Sequence, residues 1–355
     1  MELLITLLKV LIIPMLVINL IPLLIWMERK VSAYIQDRRG PNRAAILGVR
    51  LGGLIHNIAD VIKLFTKEDI VPAGANKFYF ILAPAILMFV SFVAVAVIPF
   101  ADTITLNDGN IFSFQLADLN VGLLYILAIS SLSVYSILLA GWSSNNKYAF
   151  LGGLRASSQM ISYEITMGLA VVAILMLAGS ASLNDIVRDQ GPLPWHWNIF
   201  RQPLAFFLFL AASYAETNRT PFDLPEGESE IVAGYHVEYS SMKFALFFMG
   251  EYAAMVIASA VTASLFLGGW QVPFFSTEAL RVLAPDFLPP VAFAALVQAT
   301  VFLAKILFFC FLFVWVRWTL PRFRYDQLMR FGWQFMLPLA LFNILVTGVW
   351  LLIVP

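Results

Sequence analysis

Apolar residues in this chain come in long runs, with polar residues collected between them. A helical run of about 20 apolar residues matches the hydrocarbon thickness of a bilayer. The pattern predicts spans near 4–27, 78–99, 120–142, 158–179, 240–268, 292–318 and 332–354. An eighth run, near 203–215, is shorter and ends in polar residues. Pro14, Pro22 and Pro84 fall in or near spans, which membrane helices tolerate when neighbours re-satisfy the backbone. The first run is too long for a cleaved signal peptide and lacks a small-residue cleavage site. It continues directly into Glu28-Arg29-Lys30, so it is expected to remain as a span.

One connection has a pattern of its own. After the turn signal Gly40-Pro41-Asn42, Leu47, Leu51, Leu54, Ile58, Val61 and Phe65 recur at helical spacing. Arg50, His56, Asp60, Lys63 and Lys67 fall on the other side. This predicts an amphipathic helix along the membrane surface, as a basic anchor on anionic lipid or as a lid over an entrance from the bilayer. The expected fold is an all-α integral membrane protein of about eight transmembrane helices plus this interfacial helix. No internal repeat is visible, so 1–355 reads as a single membrane domain.

Composition makes lipid the solvent. Of the 355 residues, 61% are hydrophobic and 12% charged, against roughly 45–50% and 25% in soluble domains. Formal net charge is zero, so only the placement of charges is informative. The connections 28–77, 143–157, 216–239 and 319–331 hold most of the lysines and arginines, while the opposite ones hold only Arg188, Arg201 and Arg281. The positive-inside rule predicts both termini outside and the long connections in the cytoplasm. A multi-pass protein of the cell inner (plasma) membrane is expected.

Cys310 is the only cysteine, which excludes a disulfide within the chain and a four-thiolate iron–sulfur cluster. His56, His196 and His236 fall outside the predicted spans, which argues against haem held between helices. Phosphate-binding and dinucleotide glycine motifs are missing. The chain is expected to carry no tightly bound cofactor, no metal and no nucleic acid.

Ionisable residues then mark candidate chemistry. Glu164, Glu251 and Lys305 lie inside spans, each at a cost of about 2.5–3.5 kcal/mol at a helix centre, and such residues nearly always face a protein interior or a wet cavity. Glu216 closes the short run and opens an acidic loop, 216–239, containing Asp223, Glu226, Glu228, Glu230 and Glu238 against Arg219 alone. Glu226 and Glu230, four apart, would repel on one helical face. Phe222, Leu224, Ile231, Val232 and Tyr235 are interleaved with the acids, which predicts a packed loop. Closely spaced carboxylates in such a site share protons, as a relay requires.

Four stretches resemble one family. They are Glu28-Arg29-Lys30 with Gln36-x-Arg38-x-Gly40-Pro41-Asn42; the run from Gly141 to Arg155; Ser162-Tyr163-Glu164; and the run from Ala215 to Tyr239. Together they are similar to the H-type membrane subunits of bacterial NADH–quinone oxidoreductase, respiratory complex I, equivalent to mitochondrial subunit 1. The resemblance implies a quinone chamber at the junction with a hydrophilic arm, bordered by Glu28, Arg29, Arg38, Asp60, Lys63, Arg219 and Phe222. It also implies a proton path through Glu216, Glu164 and Glu251, joined to Asp223, Glu226, Glu228 and Glu230. Quinone would be the substrate. NADH, FMN and iron–sulfur clusters would belong to partner subunits of the arm, beside further membrane subunits and the lipid bilayer. The chain departs from the family at His56-Asn57, where Gln-Pro is usual, and carries extra residues before it.

Three other readings compete. The anchor of a membrane-bound hydrogenase or formate hydrogenlyase is related, and the co-purifying partner discriminates it. A free-standing antiporter is disfavoured by the missing repeat. A membrane prenyltransferase would need a second aspartate-rich motif.

Overall fold

The apolar runs form helices in the computed structural model, which describes residues 2–46, 48–105, 111–224, 227–286 and 289–353, with the side chains of 2–5, 105, 111, 228 and 229 excepted. In chain order the helices are α1 (Glu2–Ile35), α2 (Ile55–Thr66), α3 (Lys77–Val95), α4 (Gly122–Ser131), α5 (Ser133–Ser143), α6 (Lys147–Ala178), α7 (Leu183–Gln190), α8 (Asn198–Arg201), α9 (Pro203–Glu216), α10 (Glu228–Ile231), α11 (Ser241–Phe266), α12 (Thr277–Val282), α13 (Pro290–Thr319), α14 (Tyr325–Arg330) and α15 (Leu337–Ile353). Between α3 and α4, strands β1 (Ile104–Thr105) and β2 (Ile111–Phe112) pair antiparallel as a two-residue ladder.

Among the described residues, seven segments are long and apolar enough to cross a membrane: α1, α3, the α4–α5 pair, α6, α11, α13 and the run from α14 to α15. The eighth, α9, has 14 residues and so spans roughly 21 Å at 1.5 Å per residue, less than the ~30 Å hydrocarbon layer. It survives by burial, with Ala205, Leu208, Phe209, Ala212 and Ala215 all enclosed. The expectation of about eight membrane helices holds in this form.

Burial ranks the spans. Within the most apolar window of each, 67% of α11 is buried inside the chain, against 22% for α1 and for the last span. Helix α11 is therefore the axis of the bundle, and α1 and α15 leave broad faces for lipid or neighbouring chains. Helices in lipid gain little from hydrophobic burial and associate through close backbone approach and hydrogen bonds. Gly250 shows this at the axis, since a Cβ there would stand 2.6 Å from Leu87 of α3. That contact fixes the neighbouring Glu251.

Two boundaries differ from the sequence expectation. Helix α6 begins at Lys147, capped by the Asn146 side chain accepting from the Tyr148 amide at 2.8 Å, so most of the connection expected over 143–157 is helical. Helix α2 begins at Ile55, later than the apolar periodicity from Leu47 suggested; Leu47 itself lies outside the described residues. Gly52 and Gly53 precede it with φ of 59° and 104°, a left-handed stretch that no helix continues through. Asn57, at the departure from the family pattern, donates to the Pro22 carbonyl at 2.6 Å and ties α2 to α1.

Candidate functional site

Two carboxylates and two guanidinium groups from separate parts of the chain meet beside α11. Glu28, in the last turns of α1, accepts from the Tyr252 hydroxyl at 2.5 Å and pairs with Arg317 of α13 at 2.7 Å. Arg219, in the loop after α9, lies 3.7 Å from Glu28 and 3.9 Å from Glu251. Its guanidinium carbon sits 4.4 Å from the Tyr252 ring centroid. Tyr235 donates to Glu251 at 2.6 Å. Glu28 and Arg219 are buried. Two negative and two positive charges balance, as a low-dielectric site requires.

The loop carrying Arg219 is clamped from α6. Gln159, itself buried, donates to the carbonyls of Ala215 and Phe222, both at 2.8 Å, and so pins the two sides of the turn. Within it the Arg219 amide returns to the Tyr214 carbonyl at 3.1 Å. Phe222 is buried edge-on against Tyr163, with centroids 5.4 Å apart. Buried Asp223 pairs with Arg322 at 2.9 Å. Tyr235 is positioned by bare backbone, since a Cβ on Gly152 would fall 2.6 Å from the Gly234 Cα. Of the apolar residues interleaved with the acids, Phe222, Leu224, Ile231 and Tyr235 are buried and Val232 is exposed, so the described part of the loop is packed against the bundle except at Val232.

Glu251 also faces a second space. A cavity of about 80 Å³ runs between α3, α4, α5, α6, α9 and α11, with Glu251 and Glu216 both in its wall. One water needs about 10–15 Å³ by the same measure, so several fit. Glu216 sits against Ser130 and within electrostatic reach of Glu164, which is half-buried on α6. Glu251 thus joins the charged cluster to the cavity, and Glu216 joins the cavity to the neighbourhood of Glu164.

The remaining sequence candidates sit further out. Arg29 pairs with Asp60 at 2.6 Å, joining the end of α1 to α2, with both side chains partly exposed. Arg38 is exposed in the turn after α1 and donates to Gln36 at 2.7 Å, and Lys63 is exposed on α2. Glu230 is exposed and pairs with Arg155 at 2.6 Å. Glu226 and the side chain of Glu228 lie outside the described residues. Lys305 is far from the cluster in its contacts. Its ammonium donates to the carbonyls of Leu267, Gly269 and Gln271 at 2.7–2.8 Å and sits 4.5 Å from the Trp197 ring centroid. All three protons are used on carbonyls of the segment that follows α11, so Lys305 ties α13 to that segment.

Sequence reading missed Arg317, Tyr252, Tyr235 and Gln159. Arg317 carried a signal, a cation in the last turn of an apolar span. Tyr252 carried none, because an aromatic residue in an apolar run is ordinary, and Tyr235 reads only as an apolar member of the acidic loop. Among the described residues, no group of three or more His, Cys, Asp or Glu is placed to hold a metal ion.

Comparison with known proteins identifies the family. The family described as NADH dehydrogenase matches residues 7–348. The first of the numbered H-type subunits of NADH-quinone oxidoreductase from Geobacter sulfurreducens is 49% identical over 351 residues, covering 96% of this chain and 93% of the relative. The corresponding first H-type protein of Cytophaga hutchinsonii is 48% identical over 326 residues, covering 92% and 90%. The second H-type protein of Koribacter versatilis is 47% identical over 359 residues, covering 98% and 96%. With its membrane-length helices and bacterial relatives, the chain is a multi-pass protein of the inner membrane. It belongs to the NADH dehydrogenase family, among the H-type subunits of NADH-quinone oxidoreductase.

Proposed function

We propose that this chain is the membrane subunit of a proton-translocating NADH–quinone oxidoreductase that forms the quinone chamber and the first part of the proton path. The observation that carries the reading is the continuity from a charged edge to a buried cavity. Glu28, Arg219, Arg317 and Glu251 form one cluster, and Glu251 shares its cavity with Glu216. The edge, with Arg29, Asp60, Arg38, Lys63 and Phe222, faces the cytoplasm and a hydrophilic arm, and both termini lie outside. All 355 residues serve as one membrane unit.

A quinone needs an apolar slot for its tail and a few polar groups at its head. Electrons arrive from an iron–sulfur cluster of the arm, which also holds FMN and the NADH site; this chain contributes no redox centre. Reduction to quinol consumes two electrons and two protons. The electrons put negative charge at the edge beside Arg219 and Arg317 until those protons follow. The altered charge reaches Glu251, 3.9 Å from Arg219, and a proton from the path restores the balance. Asp223, Glu226, Glu228 and Glu230 supply the cytoplasmic end, and Glu216 and Glu164 lead on toward further membrane subunits.

Gln has nearly the shape of Glu but cannot release a proton. Glu216→Gln and Glu251→Gln complexes should assemble, yet lose quinone reduction and proton uptake together in reconstituted vesicles. Full activity in both would overturn the relay. Identification of co-purifying subunits supplies the second check, an NADH-oxidising flavoprotein being expected and a nickel–iron hydrogenase large subunit refuting the electron donor.

A further inference from the structure

The cavity between Glu251 and Glu216 has an unusual wall. The span over 122–143 is not one helix there, because α4 ends at Ser131 and α5 starts at Ser133. At the break the Leu132 amide bonds to the Ile129 carbonyl at 3.1 Å and the Tyr135 amide to the Leu132 carbonyl at 3.2 Å, tighter three-residue bonds in place of the α-helical pattern. Irregular backbone at membrane depth is tolerated where it lines a polar cavity or is buried in protein. The break faces this cavity, with Ser130 and Ser133 both in the wall.

Opposite them stand Ser213 and Thr217 of the α9 end. Three of these hydroxyls have their protons committed within their own helices. Ser130 donates to Leu127 at 3.0 Å, Ser213 to Phe209 at 2.8 Å and Thr217 to Ser213 at 2.9 Å. A hydroxyl that donates backwards still has acceptor capacity, and at the wall of a cavity that capacity is available to water. Ser130 also lies against the Glu216 carboxyl.

We infer that Ser130, Ser133, Ser213 and Thr217 are positioning residues for a short water chain that carries protons between Glu251 and Glu216. The inference rests on the relay proposed above and identifies what fills the gap between its carboxylates. Each water in the chain accepts one proton and passes one on, so Glu216 loses a proton, Glu251 gains one and nothing in between is consumed. The hydroxyls orient the waters and do not titrate.

Thr and Val are close in shape and differ in the hydroxyl, so Ser130→Thr and Ser130→Val separate polarity from volume. The complex carrying each, and the double variant S130A/S213A, would be reconstituted in vesicles for NADH–quinone turnover, proton uptake and the solvent deuterium isotope effect on turnover. Ser130→Val and the Ala pair should lower turnover by about tenfold and enlarge the isotope effect, while Ser130→Thr keeps both within twofold of the parent. A purely structural role would leave the isotope effect of the assembled fraction unchanged, and that result refutes the inference. If the added volume prevents assembly of the Val variant, the Ala pair, which only removes atoms, decides. Glu216→Gln and Glu251→Gln run alongside. If they are active, the relay itself fails; if they are inactive and the serine variants match the parent in rate and isotope effect, only the water chain fails.

Discussion

Replacing Arg317 by Met tests whether the charged cluster is a balanced unit. Met keeps most of the length and apolar stem of the side chain and removes the charge. Glu28 would then lose its closest cation, at 2.7 Å, and keep Tyr252 at 2.5 Å and Arg219 at 3.7 Å. Breaking a buried pair costs about 3–5 kcal/mol; with Arg317 24% exposed and Arg219 still present, about 2–3 kcal/mol is expected. At about 1.4 kcal/mol per tenfold, the half-life of the purified complex at fixed elevated temperature should fall by about 30- to 140-fold. The decisive comparison is Glu28→Gln combined with Arg317→Met. Each single variant leaves one unbalanced charge in a closed site, whereas the pair leaves Arg219 against Glu251 with no net charge. The double variant should therefore be more stable than the sum of the singles predicts, by about 1–3 kcal/mol of coupling. Strict additivity, or an Arg317→Met half-life within twofold of the parent, would refute the balanced cluster.

The proposed orientation, with the basic connections inside, is testable by labelling. With Cys310 buried, an impermeant thiol reagent on intact cells should label Leu283→Cys and not Arg39→Cys, and the reverse would invert the topology. Arg38→Ala and Lys63→Ala remove exposed cations at the edge, so span insertion and assembly should stay intact while quinone reduction falls several-fold; unchanged quinone KM and turnover would leave these residues as lipid anchors. Lys305→Met should shorten the thermal half-life about tenfold, from the loss of three charge-assisted hydrogen bonds, and leave turnover per assembled complex unchanged. Lost turnover at full assembly would put Lys305 in the mechanism.

The spans were legible because insertion in lipid depends on apolar length, a property that neighbouring helices do not alter. Glu251 and Glu164 stood out for the same reason, as charges that such a solvent penalises. What the chain left unwritten depends on packing. The first three turns of α6, over 147–157, read as a polar connection because Lys147, Arg155 and Ser157 are cheap in a helix at the membrane only when something receives them, as Glu230 receives Arg155 at 2.6 Å. Lys305 read as a candidate for chemistry because its sequence position shows the cost of burial and not the three carbonyls that offset it. Glu28 and Arg219 were picked out through the family resemblance, and the structure adds the partner, Arg317, that sets their charge balance.

The shortness of α9 has a consequence for how the protein is made. A 14-residue apolar segment, bounded by Arg201 and Gln202 before it and by Arg219 after it, offers a translocon much less than the ~20 apolar residues that partition readily. Its buried face, from Ala205 to Ala215, has nothing to meet until α6 is already in place to receive it. Helix α9 must therefore be held at the membrane boundary and admitted late, after the preceding helices have packed. An arrest of synthesis soon after residue 216 should leave it protease-accessible, and chains extended through α11, which completes the wall behind it, should protect it.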